Sequence, residues 1–454
     1  MKKILKDIFK DKQFLATMVG LVIPITLQNL ISSSLNMIDN VMVGRLGENE
    51  IASVGLVNQY FFIFMLCLSG INAGASIFMS QYWGKGDRVS IKKILGLDLI
   101  VGTIATVIFT ITGLFMPEQI LRIFTKEPVV IALGVQYLKI ISVTFLMTNV
   151  TQAFSTALRC TGIAKPSMFA SLIGVVTNAF LNWMFIFGNL GAPAMGVAGA
   201  ALATSIARLV EMIIVLIYAY QPESTARASI KELLSFDFNV VKVYFKTSYS
   251  VIINELIWAL GLTAYSVIYA RIGIREIASM QIATTVNNMF MVLCIGLASS
   301  ASIMIGNKIG EGKNDTAIEY AKKLGVLAPI IGVVIGLALW VTSPMIMGAF
   351  KIGDDTVRLT VIVLRTMAVF APLRFFNILM IVGVFRGGGD TTYSMLVQIG
   401  TVWCFAIPAG FIATHFNLSL PIVYFIICME ELIKIGFEWS RLRSEKWIRS
   451  VVLH

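Results

Sequence analysis

Residues 41–86 read VMVGRLGENEIASVGLVNQYFFIFMLCLSGINAGASIFMSQYWGKG, and residues 267–312 read VIYARIGIREIASMQIATTVNNMFMVLCIGLASSASIMIGNKIGEG. The two align without a gap at an offset of 226, and 15 of 46 positions are identical. Arg45 and Gly47 meet Arg271 and Gly273; Glu50-Ile51-Ala52-Ser53 meets Glu276-Ile277-Ala278-Ser279; Ala75-Ser76-Ile77 meets Ala301-Ser302-Ile303; Gly84 and Gly86 meet Gly310 and Gly312. At an offset of 227, Arg159-Cys160-Thr161-Gly162 meets Arg386-Gly387-Gly388-Gly389. Apolar segments share Leu, Ile and Val by chance. Ordered Arg, Glu and Gly matches at a fixed offset indicate an internal duplication.

The composition says what is duplicated. Of 454 residues, 57% are hydrophobic and 13% charged, and the mean hydropathy is +0.83. Soluble domains hold roughly 45–50% apolar and about 25% charged residues. A disordered chain, a disulfide scaffold and a soluble enzyme are therefore excluded. A spanning helix needs about 20 apolar residues. Twelve such stretches are predicted, at 14–43, 51–82, 94–116, 128–157, 166–188, 194–219, 247–269, 277–307, 324–342, 359–384, 391–413 and 419–438. The expected fold is an all-α polytopic membrane protein with twelve transmembrane helices in two six-helix repeats. The N-lobe is expected over 1–222 and the C-lobe over 223–454. A polar linker runs over about 220–246, starting near Gln221-Pro222.

With the N-terminus placed inside, the cytoplasmic segments hold 24 Lys/Arg and the outer loops hold 7. That asymmetry predicts two cytoplasmic termini. The net charge of +11 is thus read as a topology signal, with no nucleic-acid partner. Lys2, Lys3, Lys6, Lys10 and Lys12, with Ile4, Leu5, Ile8 and Phe9, predict a surface amphipathic helix. Four of the five cysteines lie in apolar runs and none has metal-site spacing, so neither disulfide nor zinc is expected. His415 and His454 are the only histidines, too few for a His-based metal centre or triad. The 22 methionines and 29 phenylalanines suit an adaptable binding surface, although most of them are expected to face lipid or core. No clustered nucleophile, metal set or acidic dyad points to an enzyme. The Arg386 loop lacks the frame and lysine of a phosphate cradle. Even-numbered repeats insert the same way, an arrangement of secondary transporters, whose substrate site lies between the repeats.

A few polar residues inside apolar runs are the candidate site. Asp39 lies about five residues, or ~7–8 Å, from the outer loop. Gln28, Ser32, Asn36 and Asp39 form a stripe of the kind that faces a bundle interior. A buried carboxylate disfavours its own charge, so it can trade a proton or Na⁺ for an organic cation. Asn178 and Asn182 share a helix face at i, i+4. Glu255 lies about 13 Å into its span, among Ile252, Ile253, Leu256 and Trp258. Arg374 is its candidate charge partner. Pro24 is expected to kink or loosen the first helix. Arg208/Glu211 and Glu430/Lys434 are spaced to pair, and these charges, with Glu431, are expected to be structural.

The chain resembles the multidrug and toxic compound extrusion (MATE) family, of the bacterial NorM-like and DinF-like type. The resemblance rests on Asp39-Asn40-Val41-Met42-Val43-Gly44 with Pro24 upstream, on Asn178 and Leu181-Asn182-Trp183, on Gly196-Val197-Ala198-Gly199-Ala200-Ala201-Leu202-Ala203-Thr204, and on Arg386-Gly387-Gly388-Gly389-Asp390. It implies two lobes around a central cleft, and antiport of organic, often cationic, compounds against H⁺ or Na⁺. It implies a cation site around Asp39 with Asn178, Asn182 and Thr204, a coupling Glu at Glu255, and bending of the first helix at Pro24. Two departures matter. Some relatives carry Asp where Asn182 stands, and the NorM-like branch has an Asp near Phe375, where this chain has Arg374. Each lobe thus keeps one candidate carboxylate, which favours H⁺ over Na⁺. No cofactor is expected. The expected setting is a monomer in the bacterial plasma membrane, taking small organic substrates. The alternative is a lipid-linked oligosaccharide flippase of the same superfamily, which needs a cationic cavity built from Arg208, Arg365 or Arg374.

Overall fold

The computed structural model describes residues 7–348 and 353–452, except for the side chain of Asn36. The expectations for Lys2, Lys3, Ile4, Leu5, Lys6 and His454, and for the Asn36 side chain, lie outside the described residues. Among the described residues there is no strand, only an isolated bridge between Gly389 and Ile448.

The chain is an all-α membrane protein of twelve spans. Among the described residues, ten single helices are long and apolar enough to cross a bilayer. They are α1 (Lys12–Val43), α2 (Glu48–Lys85), α3 (Arg88–Phe115), α5 (Lys165–Phe187), α6 (Gly196–Ala219), α7 (Phe238–Ile272), α8 (Ile274–Gly310), α9 (Asn314–Gly348), α10 (Asp354–Phe385) and α11 (Thr391–His415). α4 is a pair, Pro128–Ser142 and Thr144–Cys160, bent by 44°. α12 is Leu420–Cys428 and Glu430–Arg443, split at Met429. Neither piece of α12 is long enough to span alone, and the second holds Glu430, Glu431 and Lys434.

Local chemistry sets the ends. Asp87 accepts from the Ser90 backbone N–H at 3.0 Å and caps α3. Pro stands in the first turn of α4 and α5, where its missing N–H is no loss. Gly188, with φ +75°, ends α5. α10 finishes in a π-helical stretch, Leu379–Phe385, that leads into Arg386, and α11 contains another over Val402–Ala406.

Packing groups the chain into two compact units. One comprises Leu27–Trp83 and Asp87–Tyr244. Its core includes Tyr60, Phe61, Phe64, Phe109 and Phe145, with the Phe64 and Phe145 rings stacked 4.5 Å apart. The linker contributes a short helix, Ile230–Leu233, opened by a Ser229/Glu232 capping box. Lys92 Nζ holds Glu232 Oε1 at 2.7 Å. Gly96 lies against this helix so closely that a Cβ would overlap the Leu233 carbonyl.

The other unit comprises the described residues up to Thr26, Gly84–Gly86, and those from Phe245 onward. The start of α1 belongs here because Phe14 packs edge-on against Tyr320, 4.9 Å between ring centroids, and Asp11 pairs with Lys323 at 2.6 Å. The division therefore falls inside α1, two residues beyond Pro24, which the helix includes without a break. The C-terminal residues are tied back by Asp390, whose carboxylate meets Arg441 at 2.7 Å and Arg449 at 3.2 Å. Gly388 admits the buried Trp447 there; a Cβ would collide with the indole ring.

Candidate functional site

In the first unit α1, α5 and α6 bring four predicted residues into contact. Asp39 is 5% exposed. Asn182 Nδ2 donates to Asp39 Oδ1 at 2.5 Å and to Asn178 Oδ1 at 3.1 Å. Asn178 Nδ2 donates to Thr204 Oγ1 at 3.0 Å. Thr204 Oγ1 lies 3.4 Å from Asp39 Oδ2 and 3.0 Å from the Ala200 carbonyl, so its one proton is shared between them. The i, i+4 spacing of the two asparagines lets Asn178 hold the Asn182 amide that donates to Asp39.

The set has one loose end. Asn182 is 0% exposed, and its Oδ1 has no hydrogen-bond partner among the described residues. A buried carbonyl oxygen without a partner is costly. Beside Asp39 is a cavity of about 20 Å³, lined by Asp39, Tyr137, Thr204 and Arg208 among others. That is room for about one water or a bare cation. Of the four residues Asp39 and Thr204 line this cavity; the oxygens of Asp39, Thr204, Asn178 and, after an amide rotation, Asn182 are hard ligands for an alkali cation and acceptors for a cation that donates hydrogen bonds. They include one carboxylate. Among the described residues no group of three or more His, Cys, Asp or Glu could hold a metal.

The stripe on α1 extends the network. Gln28 Nε2 donates to Ser171 Oγ at 3.4 Å, Ser171 Oγ donates to Glu211 Oε1 at 2.6 Å, and Arg208 holds Glu211 Oε2 at 2.9 Å. The Arg208/Glu211 pair is as its spacing predicts. Arg208 and Tyr137 belong to the Asp39 site, and sequence reasoning did not assign either to it. No local signal marks Tyr137, which comes from a different span. Pro24 is buried in α1 but, fifteen residues away, takes no part in this cluster.

In the second unit one expectation is overturned. Glu255 does not pair with Arg374. Its Oε1 meets Arg386 NH1 at 2.9 Å. Arg374 is instead held by Glu431 at 3.3 Å and donates to the Tyr424 hydroxyl at 2.7 Å. Asn377 Nδ2 donates to Glu431 Oε2 at 2.7 Å. The physical reason is that α12 packs beside α10 and supplies an acid to Arg374, a long-range contact that spacing along α10 cannot reveal. Glu430 and Lys434 do pair, at 3.2 Å. The two candidate carboxylates thus stand in different chemistry: Asp39 among neutral amides and a hydroxyl, Glu255 against a guanidinium.

The MatE family profile matches residues 24–184 and 251–412, one block in each repeat. The probable multidrug resistance protein YoeA of Bacillus subtilis (strain 168) is 23% identical over 399 residues, covering 87% of this chain and 86% of that one. The probable multidrug resistance protein NorM of Thermotoga maritima is 21% identical over 441 residues, covering 96% and 94%. A solved outward-facing conformation of a multidrug resistance MATE family transporter of the MOP superfamily superposes with a TM-score of 0.87 at 20% identity, covering 96% of each chain. Two matched blocks on a duplicated twelve-span frame, with relatives similar along nearly the whole length, mean that the chain belongs to the MatE family.

Proposed function

We propose that this protein is a multidrug efflux antiporter that exports organic, often cationic, compounds in exchange for H⁺, with Asp39 as the group that takes up the coupling ion. The observation that carries the reading is the Asp39 cluster: a carboxylate 5% exposed, met by neutral donors, beside space for about one small ion. A lone carboxylate in a membrane interior needs a cation, and a proton or a cationic drug can each serve. The two then compete, and competition for one charge is what antiport requires. The names of the relatives, which describe multidrug resistance, support the substrate class.

H⁺ is preferred because one carboxylate suffices to hold it. Na⁺ would need Asn178, Asn182 and Thr204 to converge as well, with the Asn182 amide turned over. The flippase reading needs arginines free to meet a pyrophosphate; of its three, Arg208 and Arg374 are held by Glu211 and Glu431, and the Arg365 guanidinium lies over the Trp340 ring. The proposed setting is a monomer in the bacterial plasma membrane with both termini cytoplasmic, which the Lys/Arg distribution supports.

The test is dye efflux from vesicles under separately imposed gradients. A pH gradient alone should drive transport. A Na⁺ gradient alone, at equal pH with a protonophore present, should not. Robust transport that saturates with Na⁺ under the second condition would overturn the choice of ion. No transport under either gradient would overturn antiport itself.

A further inference from the structure

α12 bears a line of ionisable side chains that the transport reading leaves unused. Glu430, Lys434 and Glu438 are spaced i, i+4, i+8, so they share one face with about 6 Å between successive members. All three are buried, and Glu438 is 0% exposed. The Lys434 ammonium turns toward the start of the helix, 3.2 Å from Glu430 Oε1 and 3.8 Å from Glu431 Oε2. Glu431 is also held by Arg374 and Asn377, and Glu430 accepts from the Tyr265 hydroxyl at 3.3 Å. Glu438 is different. Neither of its oxygens has a hydrogen-bond partner among the described residues.

The charges do not balance. Glu430, Glu431 and Glu438 are three carboxylates; Arg374 and Lys434 are two cations. Lys434 lies one turn back on the same face as Glu438 and is already paired with Glu430 and Glu431. Arg441, one turn further along, is already committed to Asp390. One negative charge is therefore left over, at an enclosed carboxyl with no partner, and burying such a charge is prohibitive. A metal ion needs several converging oxygens, and no such group exists among the described residues. A proton needs only the one carboxyl.

We propose that Glu438 is a proton-binding site and that Lys434 is its positioning switch. In one state Glu438 is a neutral acid and Lys434 pairs with Glu430. In the other, the Glu438 O–H bond is broken, Lys434 swings one turn to the resulting carboxylate, and Glu430 takes up a proton as its O–H bond forms. Protons and total charge are equal in the two states. The exchange moves one proton about 12 Å along α12 while the ammonium moves the opposite way. Its use in transport rests on the H⁺ antiport proposed above; the protonation of Glu438 does not.

The test is infrared difference spectroscopy of the purified full-length protein at neutral pH, reading the carbonyl stretch of protonated carboxyls and its shift in D₂O. Glu438→Gln should remove one component of that band, and Asp39→Asn should leave that component in place. An unchanged band in Glu438→Gln would overturn the proposal. Lys434→Gln leaves a second charge uncompensated, so it should add a component equal in area to the one that Glu438→Gln removes; no gain would overturn the switch. Gln copies the protonated acid, so Glu438→Gln should also express and melt like the parent, and a variant that fails to fold counts against the site. Proton-driven dye efflux by Glu438→Gln then decides the link to transport: a loss of about tenfold supports it, and a wild-type rate removes it while the infrared result stands.

Discussion

Arg386 NH1 lies 2.9 Å from Glu255 Oε1, with the two side chains 6% and 18% exposed. The charge of Glu255 is thus already compensated inside the protein, and the pair joins α7 to the helical residue that directly follows the π-helical stretch of α10.

Glu255→Gln should act first on stability. Removing one partner of a buried pair strands the other charge, at a cost of about 3–5 kcal/mol. The thermal midpoint of the purified variant should fall, and the double variant Glu255→Gln/Arg386→Gln should recover more than half of the loss. Efflux of monocationic and neutral substrates should decline together, because the lost charge served Arg386. A selective loss of monocations, measured substrate by substrate, would assign Glu255 to the drug instead.

Asp39→Asn keeps the shape of the first-unit cluster and removes its charge. Gradient-driven efflux should fall by at least about tenfold, which corresponds to about 1.4 kcal/mol or more in the barrier. Expression and melting should stay near those of the parent, because Asn178, Asn182 and Thr204 remain to hydrogen-bond the new amide. Initial rates in vesicles check this; a parental rate would remove Asp39 from the coupling step.

Gly96→Val should unseat the linker helix. The added side chain would occupy the place of the Leu233 carbonyl, which is backbone and cannot rotate away. Overpacking of this kind costs about 1–3 kcal/mol. The sign is destabilising, and the local consequence is exposure of the linker, read as faster proteolysis between about 220 and 246.

The same docking sets a pH response. The Lys92 ammonium and the Ser229 N–H and hydroxyl beside Glu232 hold its carboxyl down to about 2, from an ordinary value of 4.5. A lowered carboxyl contributes its full stability above 4.5 and loses it as the pH falls through about 2. The linker should therefore resist an acid-stable protease at neutral pH and become sensitive only as the pH drops below about 4.5. Lys92→Met should weaken that pH dependence without abolishing it, because the Ser229 N–H and hydroxyl still hold Glu232.

Sequence by itself determined the frame. Twelve apolar runs, their duplication at a fixed offset, the polar stripe ending at Asp39 and the shared face of Asn178 and Asn182 were legible from hydropathy, helical spacing and repeats along one chain; that these residues meet, with Thr204, was implied only by the family resemblance. The sequence also read the i, i+3 and i, i+4 pairs, Arg208/Glu211 and Glu430/Lys434, since one helix face brings them together. Only the tertiary structure decided which charges meet across helices. The only acids on the span of Arg374, Asp354 and Asp355, stand at its far end; its partner is Glu431 on α12, and Glu255 is met by Arg386 at the end of α10. Tyr137 and Arg208 joined the Asp39 cavity in the same way. Charge pairing in a low-dielectric interior is settled by which side chains come within about 4 Å of one another, and that distance is set by how helices far apart in sequence pack.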